Sequence, residues 1–194
     1  MKKENISDII ENLNADQKIK LEDIPDLDLY MDQVIQLFES KLSSLKRKEE
    51  DKVLTKTMIN NYAKAKLLMS IKNKKYSKEH LILMSLIYDL KGSLSISDIK
   101  VLLDNIVQKY ENHEDYNLRE LYKTYLETSN EDSKEFKTSV RNKEENLTNL
   151  LREHNIQGDF EENFLLICSM ISMSNMYRRM GEALIDKFFI KGDK

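Results

Sequence analysis

Seven lysines fall between Thr55 and Lys78 (Lys56, Lys64, Lys66, Lys72, Lys74, Lys75 and Lys78), and no Asp or Glu lies among them. The chain carries 34 carboxylates and a net charge of −3, so this +7 window is set in a remainder of net −10. A basic patch on an acidic body can neutralise phosphates. The same window holds Asn60 and Asn61, whose amide forks suit the donor–acceptor edge of adenine. Phosphate neutralisation beside base reading is the chemistry these residue types offer. A lysine face can equally be solvated, or dock an acidic protein.

Other chemistry finds no matching residues. There is no Gly-rich phosphate loop, no Gly-x-Ser-x-Gly elbow and no His-Glu-x-x-His helix, so no enzyme activity and no cofactor are expected. His80, His113 and His154 have no second His or Cys at metal-ligand spacing, so no metal site is expected. Cys168, the single cysteine, sits in the apolar run Phe164–Ile171 and reads as a small core residue. Glu153-His154 reads as a helix end near Gly158, where a cationic His suits the dipole.

The elements that must position the basic window follow from periodicity. Ser7 can cap a short helix reaching Asn14, and Pro25 then breaks the chain. Leu27, Tyr30, Met31, Val34, Phe38, Leu42 and Leu45 recur at three- and four-residue steps, predicting an amphipathic helix over Leu27–Leu45. Lys46–Lys52 is wholly charged and reads as an exposed linker or a solvated helix end. Thr55 is a good N-cap for a helix over Lys56–Ala65, whose polar face carries Asn60, Asn61 and Lys64. Met69–Ser77 is a basic loop. Ser77 opens a helix ended by Gly92, and Ser95 with Asp98 forms a capping box for the next. Helices around Leu118–Tyr125 and Phe136–Leu151 are separated by a polar joint at Thr128–Lys134 and closed by Gly158. The last helix, about Phe160–Phe189, carries a near-heptad stripe of Leu166, Met170, Met173, Tyr177, Met180 and Leu184. Core packing, a ligand pocket and a dimer seam are all open to it. Arg178-Arg179 reads as the point where it reaches solvent.

Composition supports the helical reading. Four Gly and one Pro in 194 residues are too few for the turns of sandwiches or barrels. No apolar run approaches the ~20 residues of a membrane helix. Met1-Lys2-Lys3-Glu4 has no apolar leader, and a cytoplasmic location is expected.

Helix, turn, helix, basic loop, helix is the order of a winged helix-turn-helix, whose second helix reads the major groove. Met58-Ile59-Asn60-Asn61-Tyr62-Ala63-Lys64-Ala65-Lys66-Leu67-Leu68 resembles the recognition-helix signature of MerR-type regulators, T-L-R-Y-Y-E-x-x-G-L-L. Tyr76-Ser77-Lys78-Glu79-His80-Leu81 resembles their segment after the wing, and Leu94–Leu103 their F-S-L-x-E-I-x-x-L-L. The span Leu27–Leu103 is similar to the YkrK-like bacterial family of unknown function. Departures stand beside the likeness. Asn60 replaces an Arg, Asn61 a Tyr and Lys66 the turn Gly. The wing lacks Gly-Tyr-Arg, and the linker before the recognition helix is longer.

The resulting expectation is an all-α protein, a MerR-like winged helix-turn-helix followed by a helical bundle or dimerisation region. Residues 1–26 would form an N-terminal extension, 27–110 the DNA-binding domain and 111–194 a C-terminal region. The expected contacts to double-stranded DNA are Thr55, Lys56, Asn60, Asn61, Lys64, Lys66, Lys72, Lys74, Lys75, Tyr76 and Lys78. A homodimer through the last helix is expected, and a small-molecule effector is left open. Residues Asp104–Lys194 carry 18 carboxylates against 13 Lys plus Arg and should face away from DNA. The alternative is a helical interaction module whose lysines dock an acidic partner.

Overall fold

The computed structural model describes residues 6–190. Met1–Glu4 and the start of the expected extension lie outside them. The described residues form α1 (Ile6–Asn12), β1 (Leu29–Tyr30), α2 (Met31–Leu42), α3 (Lys56–Lys64), β2 (Lys75–Tyr76), α4 (Lys78–Leu90), α5 (Ile96–Glu111), α6 (Leu118–Glu153) and α7 (Asp159–Phe188). The architecture is mainly helical, as the composition implies. No described helix is long and apolar enough to cross a membrane.

One core gathers the chain from Ile19 through α2, α3, α4 and α5 to the start of α6 around α4, whose Leu81, Ile82, Leu83, Met84 and Ile87 are all fully buried. Ile19 and Tyr122 close it from either end, the Tyr122 hydroxyl donating to the Ile19 carbonyl at 2.6 Å. Burial pushes that phenol up to about 12. Beside it Asp89 accepts from Tyr125 Oη (2.6 Å) and Lys18 Nζ (2.8 Å), joining α4, α6 and the residues after α1. The α6–α7 pair extends from this core as an arm, with α7 packing on α6 and α5.

Several expectations are corrected. The helix predicted from Leu27 begins at Met31, because Leu29 and Tyr30 pair antiparallel with Tyr76 and Lys75. Leu27 and Tyr30 share the helical spacing yet remain exposed. Ser7 lies inside α1, not at its cap. Thr128–Lys134 is no joint: α6 runs through it unbroken. Its residues are polar, but none is Gly or Pro, and Thr128 Oγ1 returns its bond to the Thr124 carbonyl (3.0 Å). Cys168 is exposed, not core. Met176, Tyr177 and Met180 are also exposed, so core packing accounts for only part of α7. Of Arg178-Arg179, Arg179 is exposed as expected, whereas Arg178 is half-buried and pairs with Glu182 at 2.5 Å.

Scarce glycine shapes the helix ends. Lys66, His113 and Asn155 all have left-handed φ (57°, 58° and 54°) and end α3, α5 and α6. In each, the following N–H reaches back five residues, as Leu67 N does to the Tyr62 carbonyl (3.0 Å) and Ile156 N to that of Leu151 (2.9 Å). Asn155 thus ends α6, and Gly158 precedes α7 at φ 141°.

Candidate nucleic-acid interface

Thr55 caps α3 as its sequence implies, its Oγ1 accepting from Met58 N–H at 3.1 Å. Ile59 and Tyr62 are buried beneath the helix, which leaves Thr57, Asn60, Asn61 and Lys64 exposed. Those four recur at i, i+3, i+4 and i+7, the period of one helical face. Thr57 is the member that charge and amide chemistry do not single out, although the spacing points to it.

The loop before α3 is held, not loose. Glu39 of α2 accepts from Lys46 Nζ (2.5 Å) and from Val53 N–H (3.3 Å), pinning both its ends. The Lys46 ammonium holds the Glu39 carboxyl below the usual range. Val53 and Leu54 are buried, which fixes where α3 begins.

After the left-handed turn at Lys66, the chain forms a tight hairpin. Lys72 bridges antiparallel to Lys75, and Lys75 N–H donates to the Lys72 carbonyl at 3.0 Å. Asn73 (φ 53°) and Lys74 (φ 59°) occupy the two central positions, the signature of a type I′ turn. Asn is at home there; lysine at the second position, where Gly is preferred, is not. The base of the hairpin is clamped by Glu111 of α5, which accepts from both Ser70 N–H and Ser70 Oγ. On the other side β1 completes the small sheet, and Lys75 Nζ lies 5.0 Å from the Tyr30 ring centroid.

His80 locks the hairpin to α4. Ser77 N–H donates to its Nδ1 (3.2 Å), which leaves Nε2–H to donate to the Met69 carbonyl (3.3 Å). Burial holds this imidazole below its ordinary pKa, against the pull of the Met69 carbonyl. It is a structural histidine.

The expected contact residues therefore divide. Asn60, Asn61 and Lys64 are exposed on α3, and Lys66, Lys72 and Lys74 on the turn and hairpin that follow it, a corner where Ala63 and Lys66 share a cleft with Ser70 and Ile71. Among the described residues none of Lys64, Lys66, Lys72, Lys74 or Lys75 has a carboxylate within ion-pair distance. Lys56 is exposed but pairs with Asp32 at 2.8 Å. Thr55 spends its hydroxyl on the cap. Tyr76 is buried at 3% exposure, so it anchors the sheet in the core and cannot reach a ligand. The Lys78 side chain is largely buried and reaches Asp26 at 2.9 Å, holding that carboxyl below its usual range. No group of His, Cys, Asp and Glu among the described residues could hold a metal ion.

Comparison with curated proteins and with solved structures finds no match for the chain. A family model does match, over residues 19–125, the same span that Ile19 and Tyr122 close as one core. The chain belongs to the family described as a domain of unknown function, DUF1836.

Proposed function

We propose that the chain is a DNA-binding transcriptional regulator of MerR-like winged helix-turn-helix type, with α3 as recognition helix and the Lys72–Lys75 hairpin as wing. The carrying observation is the pair Lys66 and Lys74. Both hold left-handed backbone where Gly would be about 1 kcal/mol easier, and both present a free ammonium on one corner. Of the left-handed non-Gly positions, which also include Asn73, His113 and Asn155, these two add cations in the segment that exposes Asn60 and Asn61, which fits selection for a polyanion. Lys66 stands where the MerR-type signature has its turn Gly, and its left-handed φ of 57° is one that glycine adopts freely. The order strand, helix, helix, hairpin, helix, with β1 buttressing the wing, supports the same reading and the likeness to the YkrK-like family. The test is selection of duplexes from a random pool. Asn60→Ala or Asn61→Ala should then cost on the order of 1–3 kcal/mol on the selected site and little on random DNA. Failure to enrich any sequence would move the acidic-protein partner ahead.

The dimer reading rests on α7. Phe160, Phe164, Ile167 and Ile171 are 75%, 54%, 64% and 59% exposed along one face. Their 4-3-4 spacing reads identically in both directions, so antiparallel two-fold pairing sets Phe160 on the partner's Ile171 and Phe164 on the partner's Ile167. These four side chains expose on the order of 500 Å² as one face, toward the upper end of the ~300–600 Å² patch of a typical monomer. Phe164→Glu with Ile167→Glu should give monomers by light scattering with helicity retained. A wild-type chain that is monomeric at tens of micromolar would remove the dimer.

A further inference from the structure

A cavity of about 500 Å³ opens where the turn between α4 and α5 meets the α6–α7 arm. Leu94 lines it from the turn, Phe136 and Val140 from α6, and Met170 and Met173 from α7. Four hydroxyl-bearing residues, Ser93, Ser139, Ser174 and Tyr177, interrupt these apolar walls. Arg178 is the one ionisable cation among the lining residues, and no Asp or Glu joins it. Its contact with Glu182 engages Nη1 alone, leaving most of its five N–H donors. Neighbouring clefts along α6 differ: one is lined by Glu131 and Glu135 with Lys134 and Lys143, and another, which shares Phe136, Ser139, Met173 and Tyr177 with this cavity, by Asp132 and Glu135.

Gly181 is the second observation. It lies in the interior of α7, where Gly costs roughly 1 kcal/mol relative to Ala. Its φ is not left-handed, and an added Cβ would meet nothing within 4 Å. Nothing in this chain's own packing requires a glycine there. Gly181 borders the cavity, so the absent side chain keeps that space open.

We propose that this cavity binds a small amphipathic carboxylate, its alkyl or aromatic body against the two methionines and Phe136, its carboxylate on the Arg178 guanidinium. The volume falls in the ~300–1,000 Å³ range of ligand sites, and the pattern of apolar walls with a few fixed polar groups is theirs too. Methionines adapt to irregular apolar shapes, and a guanidinium matches a carboxylate bidentately. The site draws residues from the α4–α5 turn as well as from the arm, so occupancy would bias how the arm sits on the core. The proposal does not rest on DNA binding, and its test contains no DNA.

Decanoate serves as the probe, titrated calorimetrically into the full chain below its micelle concentration. One site per chain is expected. Gly181→Leu, which fills the space, should abolish binding while helicity and Tm hold or rise. Arg178→Met should weaken decanoate about tenfold while leaving the uncharged alcohol decanol unchanged. Val140→Phe closes the cavity from α6 and should also abolish binding, which keeps the test usable if Gly181→Leu misfolds. Absence of saturable binding to the wild type would overturn the proposal. So would decanoate affinity unchanged in both filled variants, or a change of mass in Gly181→Leu, which would make the occupant a second copy.

Discussion

The corner built by α3 and the hairpin and the outward face of α7 meet solvent in opposite ways. At the corner, charged side chains stand on a core that is finished beneath them: Ile59, Tyr62, Leu67 and Tyr76 are buried and the turns are hydrogen-bonded. On α7, fifteen consecutive residues from Asn163 to Tyr177 carry no charge, in a chain that is 34% charged, yet the chain covers only one side of them. The stretch is not apolar throughout, since Asn163, Ser169, Ser172, Ser174 and Asn175 interrupt it, but large apolar side chains stand on its uncovered side. The corner is complete as folded and displays groups that gain by meeting a polyanion. The arm leaves large apolar side chains, Phe160, Phe164, Ile167 and Ile171 among them, exposed.

The contrast breaks first in stability. Phe38→Ala, at a fully buried position of α2, should cost about 3–5 kcal/mol by urea unfolding. Ile171→Ala, of equal hydrophobic character but 59% exposed, should cost under about 0.5 kcal/mol at high dilution. Its cost should grow with protein concentration if a second copy covers it. A large cost at dilution that is independent of concentration would place Ile171 in the chain's own core.

A smaller effect sharpens the corner's side of the comparison. The folded-state pKa of His80 is depressed by burial, so the unfolded chain binds its proton more readily. Stability from this group is full above the unfolded value of about 6.5 and falls as pH drops from there toward the folded value. The slope is at most about 1.4 kcal/mol per pH unit, and protonation of Nδ1 removes the acceptor for Ser77 N–H. Urea unfolding at stepped pH should show the loss in the wild type. His80→Gln should flatten it, and an unflattened profile would assign the loss elsewhere.

Much of the corner is legible in the sequence because its signals are local. The Thr55 cap, the Ser95–Asp98 box and the lysine window need only neighbouring residues, and each stands where the spacing places it. What misleads is long-range. Tyr76 and Lys78 read as ligand contacts from charge and position alone, whereas pairing with Leu29 and Asp26, some fifty residues away, takes both inward. The same pairing converts Leu29 and Tyr30 from a helix start to a strand. On α7 the apolar stripe is readable, but which of its faces the chain covers is decided by how α6 and α5 pack on it. Cys168 therefore faces solvent despite its apolar neighbours. The hairpin's I′ turn is hidden in the sequence because Lys74 stands where Gly would announce it.

The central claim is that Lys66 and Lys74 are retained at left-handed positions for their charge. Lys66→Gly and Lys74→Gly together remove two cations while relaxing two turns, so unfolding should show a gain of about 0.5–1 kcal/mol at each. The decisive measurement is the salt dependence of duplex DNA binding by this double variant beside the wild type. The account predicts weaker binding to every sequence and a log–log salt slope shallower by about 1.8, at roughly 0.9 for each phosphate no longer neutralised. A double variant that is more stable yet binds DNA with the wild-type slope, or a wild type with no salt-dependent binding at all, would contradict it.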